Sequence, residues 1–300
     1  MNLYFPNYPF TKILGWSSSR YDLFSLCKRK YRYQYYSNFW GEQSEKVNKL
    51  KGLTTIALEV GNLYHDMMEI FIDRLQKSNK PIDKERVFVR LDQLCNEKLP
   101  TKNFFENYYK TAVVDFSEIS EKVKFCVENF INSPIFEWIN SIKMEDRKNW
   151  LVEAGSKMYN KTYYGETRIN GLKAYCKMDF IFAINDEIHI LDWKTGKKDE
   201  SKHTKQLLAY AVAAKGLNKD ISADKIFPKA IFINGNYEEM SVKFTEKDLV
   251  NFAEVVKKET AQMQSFCSDV ENNIPLPIEE FEKCGYDNVC KFCEYKELCL

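Results

Sequence analysis

The chain has 300 residues, of which 44% are hydrophobic and 15% aromatic, and its 44 Lys and Arg nearly balance its 43 Asp and Glu. This composition predicts a folded globular protein of one large or two small domains and excludes a disordered, collagen-like or disulfide-stapled chain. The net charge of +1 indicates no class of partner. The longest apolar run, residues 207–214, is too short to span a bilayer, so we expect a cytoplasmic protein with no membrane partner.

The first predicted helix covers residues 17–36, because it follows a serine cap and its apolar side chains recur every three or four positions. The segment is also basic, with tyrosines between the cations, a composition that suits a groove for nucleic acid. The candidate phosphate-binding cations are Arg20, Lys28, Arg29, Lys30 and Arg32. An amphipathic helix with its rings in the core explains the same pattern equally well.

Further helices are predicted at residues 55–76 and within 82–147, where Pro100 and Pro134 are breaks. From residue 151 the pattern is that of strands, at 151–158, 172–184 and 187–194, then a helix at 202–215, strands at 228–234 and 237–244, and a helix at 245–267. This order predicts a mixed α/β fold in which helices from both ends of the chain cover a small sheet.

Two aspartates mark the most informative segment. If Asn185 and Asp186 form the two-residue turn of a hairpin, Asp179 lies directly opposite Asp192. Opposed carboxylates repel each other, so their presence in an apolar hairpin predicts a divalent metal. Lys194 shares a strand face with Asp192 and could orient water or stabilise charge on a phosphate. A structural ion pair is the alternative role for this lysine.

Three other side chains are candidates for the same site. His65, one helical turn after Gly61, is a third metal-ligand candidate, and an imidazole beside two carboxylates shifts the preference from Mg²⁺ towards Mn²⁺. Gln206 and Tyr210 share one face of the helix at 202–215 and could position the lysine or a phosphate. His189 falls on the hairpin face opposite Asp192.

In order along the chain, these motifs are Gly-Asn-Leu-Tyr-His65, Lys-Met-Asp179, Asp192-Trp-Lys194-Thr-Gly and Gln206-Leu-Leu-Ala-Tyr210. The series resembles the RecB-type branch of the PD-(D/E)XK nuclease superfamily. The resemblance implies a restriction-endonuclease-like α-β-β-β-α-β core in which His65, Asp179 and Asp192 hold Mn²⁺ or Mg²⁺. It also implies that Lys194 assists hydrolysis and that Gln206 and Tyr210 complete the site.

The chain has nine cysteines, and four of them crowd its C-terminal end. Cys290, Cys293 and Cys299, with Cys27 near the start, are similar to the iron-sulfur subgroup that contains AddB-type helicase-nuclease subunits and CRISPR-associated RecB-like exonucleases. That resemblance implies a [4Fe-4S] cluster joining the two terminal segments. The rival is a local zinc site of Cys284, Cys290, Cys293 and Cys299.

Residues 1–300 are therefore expected to form one nuclease domain. Its parts are a basic N-terminal segment (1–54), a motif helix (55–79), a helical insertion (80–148), a catalytic core (149–244) and a C-terminal helix with a cysteine-rich tail (245–300). The expected activity is hydrolysis of DNA from single-stranded ends, with a helicase or CRISPR adaptation proteins as partners. The alternatives are a catalytically idle nucleic-acid-binding subunit and a zinc-stabilised interaction protein.

Overall fold

The computed structural model describes residue 3 and residues 8–154 and 167–299. Its N-terminal part contains the helices α1 (Ser18–Leu26), α2 (Lys28–Tyr35) and α3 (Ser44–Lys51). The prediction of one helix over residues 17–36 is wrong, because the backbone of Cys27 is extended (φ −157°, ψ 109°) and separates α1 from α2. The Cys27 sulfur then accepts a hydrogen bond from the main-chain N–H of Lys30 at 3.4 Å and so caps α2.

Helices dominate the next part of the chain, as predicted. Two short strands, β1 (Leu53–Thr54) and β2 (Asn103–Phe104), pair with each other in parallel. The helices are α4 (Ile56–Lys77), α5 (Lys84–Lys98), α6 (Phe105–Tyr108), α7 (Phe116–Ile131) and α8 (Pro134–Ser141). Pro100 lies in the 3₁₀ turn that ends α5, and Pro134 is the first residue of α8, where its missing N–H has no helical partner to lose.

The second half of the chain contains the main sheet. The strands before the next helix are β3 (Leu151–Ala154), β4 (Thr167–Ile169), β5 (Leu172–Ala174), β6 (Met178–Ile184) and β7 (Glu187–Lys194). The elements that follow are α9 (Glu200–Leu217), β8 (Ile226–Phe232), β9 (Glu238–Ser241), α10 (Glu246–Gln264), β10 (Cys267–Asp269), β11 (Ile274–Pro275), α11 (Asp287–Lys291) and α12 (Lys296–Cys299).

The predicted strand 172–184 is two strands. Its first part, β5, pairs with β4, and its second part, β6, belongs to the main sheet. Residues 175–177 lie between them outside any strand. The main chain of Trp16 lies beside β5, where it accepts a hydrogen bond from the N–H of Tyr175 at 2.7 Å and donates its own N–H to Lys173 O at 2.9 Å. Of the predicted strand 151–158, residues 155–158 lie outside the described residues.

The main sheet has the strand order β3-β6-β7-β8-β9. Among the described strands of this sheet, the β7–β8 pair alone is parallel, and α9 makes the crossover between these two strands. The series α4, β3, β6, β7, α9, β8 therefore has the expected α-β-β-β-α-β order. One apolar core lies between the sheet and α9 with α10, and a second lies between the opposite face and α4, α5 and α7.

The hairpin of β6 and β7 has the predicted turn. Asn185 and Asp186 both have positive φ (50° and 59°), as a type I′ turn requires. The pairing of Ile184 with Glu187 continues without a shift to Phe180 opposite Leu191. In the part of the chain that the structure describes, no helix is long and apolar enough to cross a membrane.

Candidate active site

Two buried aspartates lie at adjacent positions of β6 and β7. One step beyond the pair Phe180 and Leu191, the same register sets Asp179 opposite Asp192. Asp179 is 8% exposed and Asp192 is 2% exposed. The main-chain N–H of Trp193 donates to Asp179 Oδ2 at 2.8 Å. The hairpin therefore brings two carboxylates together inside the protein.

Lys194 and α9 hold the second aspartate. The Lys194 Nζ atom lies 2.5 Å from Asp192 Oδ2, and the Tyr210 hydroxyl donates to Asp192 Oδ1 at 3.0 Å. Gln206, one turn earlier on the same helix face, donates from Nε2 to the Tyr210 oxygen at 2.8 Å. These four side chains thus form one connected chain of polar contacts.

Burial disfavours the negative charge of both aspartates. Burial, and then the charge of Asp179, raise the pKa of Asp192 to about 6, although Lys194 and Tyr210 favour its charged form. Burial also opposes the charged form of Asp179, but the hydrogen bond and charge of His65 outweigh it and the pKa of Asp179 is lowered. Two such carboxylates, one of them disfavoured as an anion, suit a divalent cation.

α4 brings His65 to the same place. His65 Nδ1 lies 3.4 Å from Asp179 Oδ1, and its side chain is one third exposed. Burial alone would lower the pKa of His65, but the adjacent Asp179 carboxylate raises it above its ordinary value. One turn earlier, a β-carbon added to Gly61 would lie 3.3 Å from Thr195 Oγ1. The helix therefore approaches closely the residue that follows Lys194.

The sequence matches the PD-(D/E)XK nuclease superfamily over residues 15–300. The chain belongs to this superfamily. No curated protein matches the sequence. Among solved structures, the chain is similar to one titled "Crystal structure of SSO0001", with 16% identity, a TM-score of 0.29, and coverage of 65% of this chain and 78% of that chain. Superfamily membership implies a nucleic-acid substrate and the use of divalent metals such as Mg²⁺ or Mn²⁺.

The five cations that were predicted to bind phosphate form hydrogen bonds or ion pairs with other groups of the protein. Arg20 and Arg32 are buried. Arg20 donates to the Tyr31 hydroxyl and Gly15 O, and Arg32 donates to Tyr36 O. Both guanidinium groups are thus held by contacts within the protein, and their role in binding phosphate stays a prediction.

The three other cations of this segment are partly buried. Lys28 donates to Phe24 O at 2.7 Å, and Arg29 donates from Nε to Phe281 O at 2.7 Å. Lys30 lies 2.6 Å from Glu294. The contacts of Arg29 and Lys30 connect α2 to the C-terminal segment of the chain.

Cysteines from both ends of the chain meet at one cavity of about 400 Å³. It is lined by five cysteines, Cys27, Cys284, Cys290, Cys293 and Cys299. The sulfur atoms of Cys284 and Cys290 are 3.8 Å apart. Within residues 8–154 and 167–299, however, no group of three or more His, Cys, Asp or Glu side chains is placed to hold a metal ion.

Two features of these sites were not predicted from the sequence. The Trp193 main-chain N–H that binds Asp179 has no sequence signature, because every non-proline residue carries the same donor. Cys284 lines the same cavity as Cys27, although the two cysteines were assigned to competing ligand sets. Only the spatial arrangement of the tail could place all five thiols together.

Proposed function

We propose that the protein is a metal-dependent nuclease that hydrolyses phosphodiester bonds of DNA and acts as an exonuclease on single-stranded ends. The observation that carries the hydrolytic part is the buried pair Asp179 and Asp192, with the Lys194 ammonium 2.5 Å from Asp192. Superfamily membership supports the same reaction.

His65, Asp179 and Asp192 would hold the Mn²⁺ or Mg²⁺ ion. Their chemistry fits it, because two carboxylates and one imidazole are suitable donors for Mn²⁺. Asp192 Oδ2 is also buried and accepts no hydrogen bond beyond its ion pair with Lys194. When bound, the metal would act as a Lewis acid on the phosphate and lower the pKa of a water molecule.

The protein's own groups would orient the substrate and stabilise charge. Lys194 can donate a hydrogen bond to a non-bridging phosphate oxygen, where negative charge develops during hydrolysis. Tyr210 and Gln206 fix the orientation of Asp192 and leave Oδ2 directed at the lysine. The Trp193 N–H restrains Asp179 in the same way. The site is thus largely organised before substrate arrives.

Cys27, Cys290, Cys293 and Cys299 would hold a [4Fe-4S] cluster in the cysteine-lined cavity. The supporting observation is that Cys27 and the three tail cysteines line one cavity although Cys27 is far from them in sequence. Thiolates are the usual ligands of such clusters. A Zn²⁺ ion held by Cys284, Cys290, Cys293 and Cys299 is the alternative, favoured by the 3.8 Å separation of Cys284 and Cys290.

The preference for single-stranded DNA ends and the partnership with a helicase or CRISPR adaptation proteins rest on the resemblance to RecB-like iron-sulfur nucleases. The basic segment 20–32 gives them little support, because its cations contact the protein itself. Linear and closed circular single strands separate the two modes of cleavage, since an exonuclease requires an end. Matched RNA strands test the choice of nucleic acid.

The decisive experiment compares wild type with Asp179→Ala, Asp192→Ala and Lys194→Ala, using end-labelled strands and Mn²⁺ or Mg²⁺. Both aspartate variants should lose Mn²⁺ binding and cleavage. Lys194→Ala should keep Mn²⁺ binding but cleave at least about 100-fold more slowly, because it loses a group that stabilises developing charge. Glu187→Gln, at the turn end of the same hairpin, is the control. Full cleavage in a chelator, or by either aspartate variant, would overturn the proposed site.

A further inference from the structure

The turn between β8 and β9 is hydrogen-bonded to the backbone at the end of β7. Asn234 donates from Nδ2 to the main-chain oxygen of Thr195 at 2.8 Å. The main-chain N–H of Ile233 donates to Lys194 O at 3.2 Å. The last carbonyl of β7 and the carbonyl after it therefore both accept hydrogen bonds from this turn, which restrains the backbone that carries the lysine.

Asn129 of the helical insertion holds the same turn. From α7, its Nδ2 atom donates to Ile233 O at 2.8 Å and to Gly235 O at 3.0 Å, and a primary amide has one hydrogen for each acceptor. Gly235 has a φ of +116°, which a residue with a β-carbon rarely adopts. One side chain of the insertion thus fixes the turn at two carbonyl groups.

A ring contact connects the same helix to the same strand. Phe130, the next residue of α7, packs edge-on against Trp193 with the ring centroids 5.4 Å apart, and both rings are buried. Trp193 lies between Asp192 and Lys194 in the sequence. The insertion therefore contacts β7 beside the proposed site in two ways, directly through a ring and indirectly through the turn.

We propose that Asn129 and Asn234 are positioning residues that set the place of Lys194 through the turn between β8 and β9. This inference rests on the proposed function. Lys194 would have to contact both Asp192 and a phosphate oxygen, and a small displacement of a group that stabilises charge costs much of the rate. Because its ammonium group is at the end of a long side chain, its reach depends on where its backbone is held. The helical insertion would thereby contribute to hydrolysis.

Loss of either amide should slow cleavage without weakening the metal site. Asn234→Ala removes the bond to Thr195 O, and we expect kcat to fall about tenfold, because a displacement of about 1 Å can cost about 100-fold. Asn129→Ala should act in the same direction. Mn²⁺ affinity should stay unchanged, since none of these hydrogen bonds involves a proposed metal ligand. Asn132→Ala is the matched control, because Asn132 ends α7 and contacts Lys84 instead.

A double-mutant cycle with Lys194→Ala separates positioning from a general structural role. If Asn234 acts through the lysine, Asn234→Ala should lower kcat by less than about twofold once the lysine is absent. A merely structural role would lower kcat by the same factor in both backgrounds. Melting temperatures check folding, and Asn234 is exposed, so its substitution leaves no cavity in the core.

The experiment measures steady-state cleavage of an end-labelled single strand at saturating Mn²⁺, together with Mn²⁺ binding by the whole chain. A loss of kcat in Asn234→Ala that disappears in the Lys194→Ala background, at unchanged Mn²⁺ affinity, supports the inference. An unchanged kcat, or an equal loss in both backgrounds, would overturn it and leave the proposed function standing. If wild type does not cleave, or Lys194→Ala cleaves as fast as wild type, the proposed role of the lysine is wrong and the inference fails with it.

Discussion

The Asp192 carboxylate, a proposed metal ligand, is disfavoured as an anion in the folded protein. It is almost fully buried, it lies opposite a second carboxylate, and its pKa is raised to about 6 from an ordinary value of 3.8. A raised pKa in the folded state means that the folded protein holds this proton more tightly than the unfolded chain does. The contribution to stability is therefore present at low pH and is lost as the pH rises through about 6.

Asp192→Asn should accordingly raise the melting temperature of the metal-free protein at mildly alkaline pH, because it removes a buried charge that the surroundings disfavour. The gain should shrink as the pH falls below about 6, where the wild-type carboxyl is itself neutral. Thermal unfolding in a chelator, measured across this range for both proteins, gives the comparison. A lower melting temperature for the variant at alkaline pH would contradict this account.

A second residue-scale prediction concerns His65. Because two carboxylates remain after His65→Ala, this variant should need a higher metal concentration for half-maximal cleavage and lose less of the rate at saturating metal. A cleavage titration with Mn²⁺ measures both quantities. An unchanged titration with a lowered melting temperature would instead assign the histidine a packing role.

Among the elements, α4 and β7 meet through a glycine. Gly61 is in the middle of α4, where alanine would ordinarily stabilise the helix by about 1 kcal/mol. An added β-carbon would however lie 3.3 Å from Thr195 Oγ1, which is a tight contact beside Lys194. The position therefore couples the helix to the end of the catalytic strand.

We expect Gly61→Ala to lower the cleavage rate by displacing Thr195, with no loss of overall stability. Thr195→Ala in the same chain removes the opposing atom and should restore part of the rate. Steady-state cleavage and denaturant unfolding of the two single variants and the double variant measure this coupling. Additive effects on the rate would show that the two residues act independently.

His189 shows a pH dependence of opposite sign on the other face of β7. Its ring stacks between Phe182 and Phe227 at centroid distances of 5.3 Å, and burial lowers its pKa despite the nearby Glu187. The unfolded chain therefore takes up the proton first as the pH falls. This contribution to stability is present above about 6.5, the ordinary value for histidine, and decreases as the pH drops below it.

His189→Phe should flatten the fall in stability between neutral and mildly acidic pH, because a third apolar ring cannot be protonated. Urea unfolding at several pH values compares the variant with wild type. His203, whose pKa burial also lowers, should account for part of the remaining slope. An unchanged slope in the variant would assign the pH dependence to other groups.

Across the whole molecule, the two ends of the chain are connected in several places. Trp16 donates to Glu259 at 2.7 Å, Arg29 donates to Phe281 O, and the Tyr33 ring stacks on Tyr295. The cysteine-lined cavity lies within this region, since Tyr33 and Tyr295 also line it. A cluster or metal held there would therefore stabilise both ends together.

The proposed iron-sulfur cluster predicts that Cys27→Ser loses colour and iron and that amide hydrogen exchange rises in both α2 and the C-terminal tail. Cys284→Ser should keep its iron and its protection from exchange. Iron and zinc analysis of protein purified without oxygen provides the complementary measurement. Zinc without iron in the wild type, with metal loss in Cys284→Ser but not in Cys27→Ser, would assign the local zinc site instead.

The sequence by itself determined the features that depend on local periodicity and turn chemistry. The alternation of β6 and β7 around Asn185 and Asp186 was sufficient to predict the hairpin register, because a two-residue turn leaves no freedom in the pairing. The opposition of Asp179 and Asp192 follows from that register alone. The order of the main helices and strands was also predictable, although the predicted helix 17–36 and the predicted strand 172–184 are each two elements in the structure.

Only the tertiary structure decided which polar groups remain available for function. Burial of Arg20 and Arg32 depends on which helix face meets the rest of the protein, and the basic, tyrosine-rich pattern of segment 17–36 is compatible with either orientation. The meeting of Cys27 and Cys284 at one cavity likewise depends on where the C-terminal tail folds back. Such contacts join residues more than 200 positions apart, so no local rule of sequence could predict them.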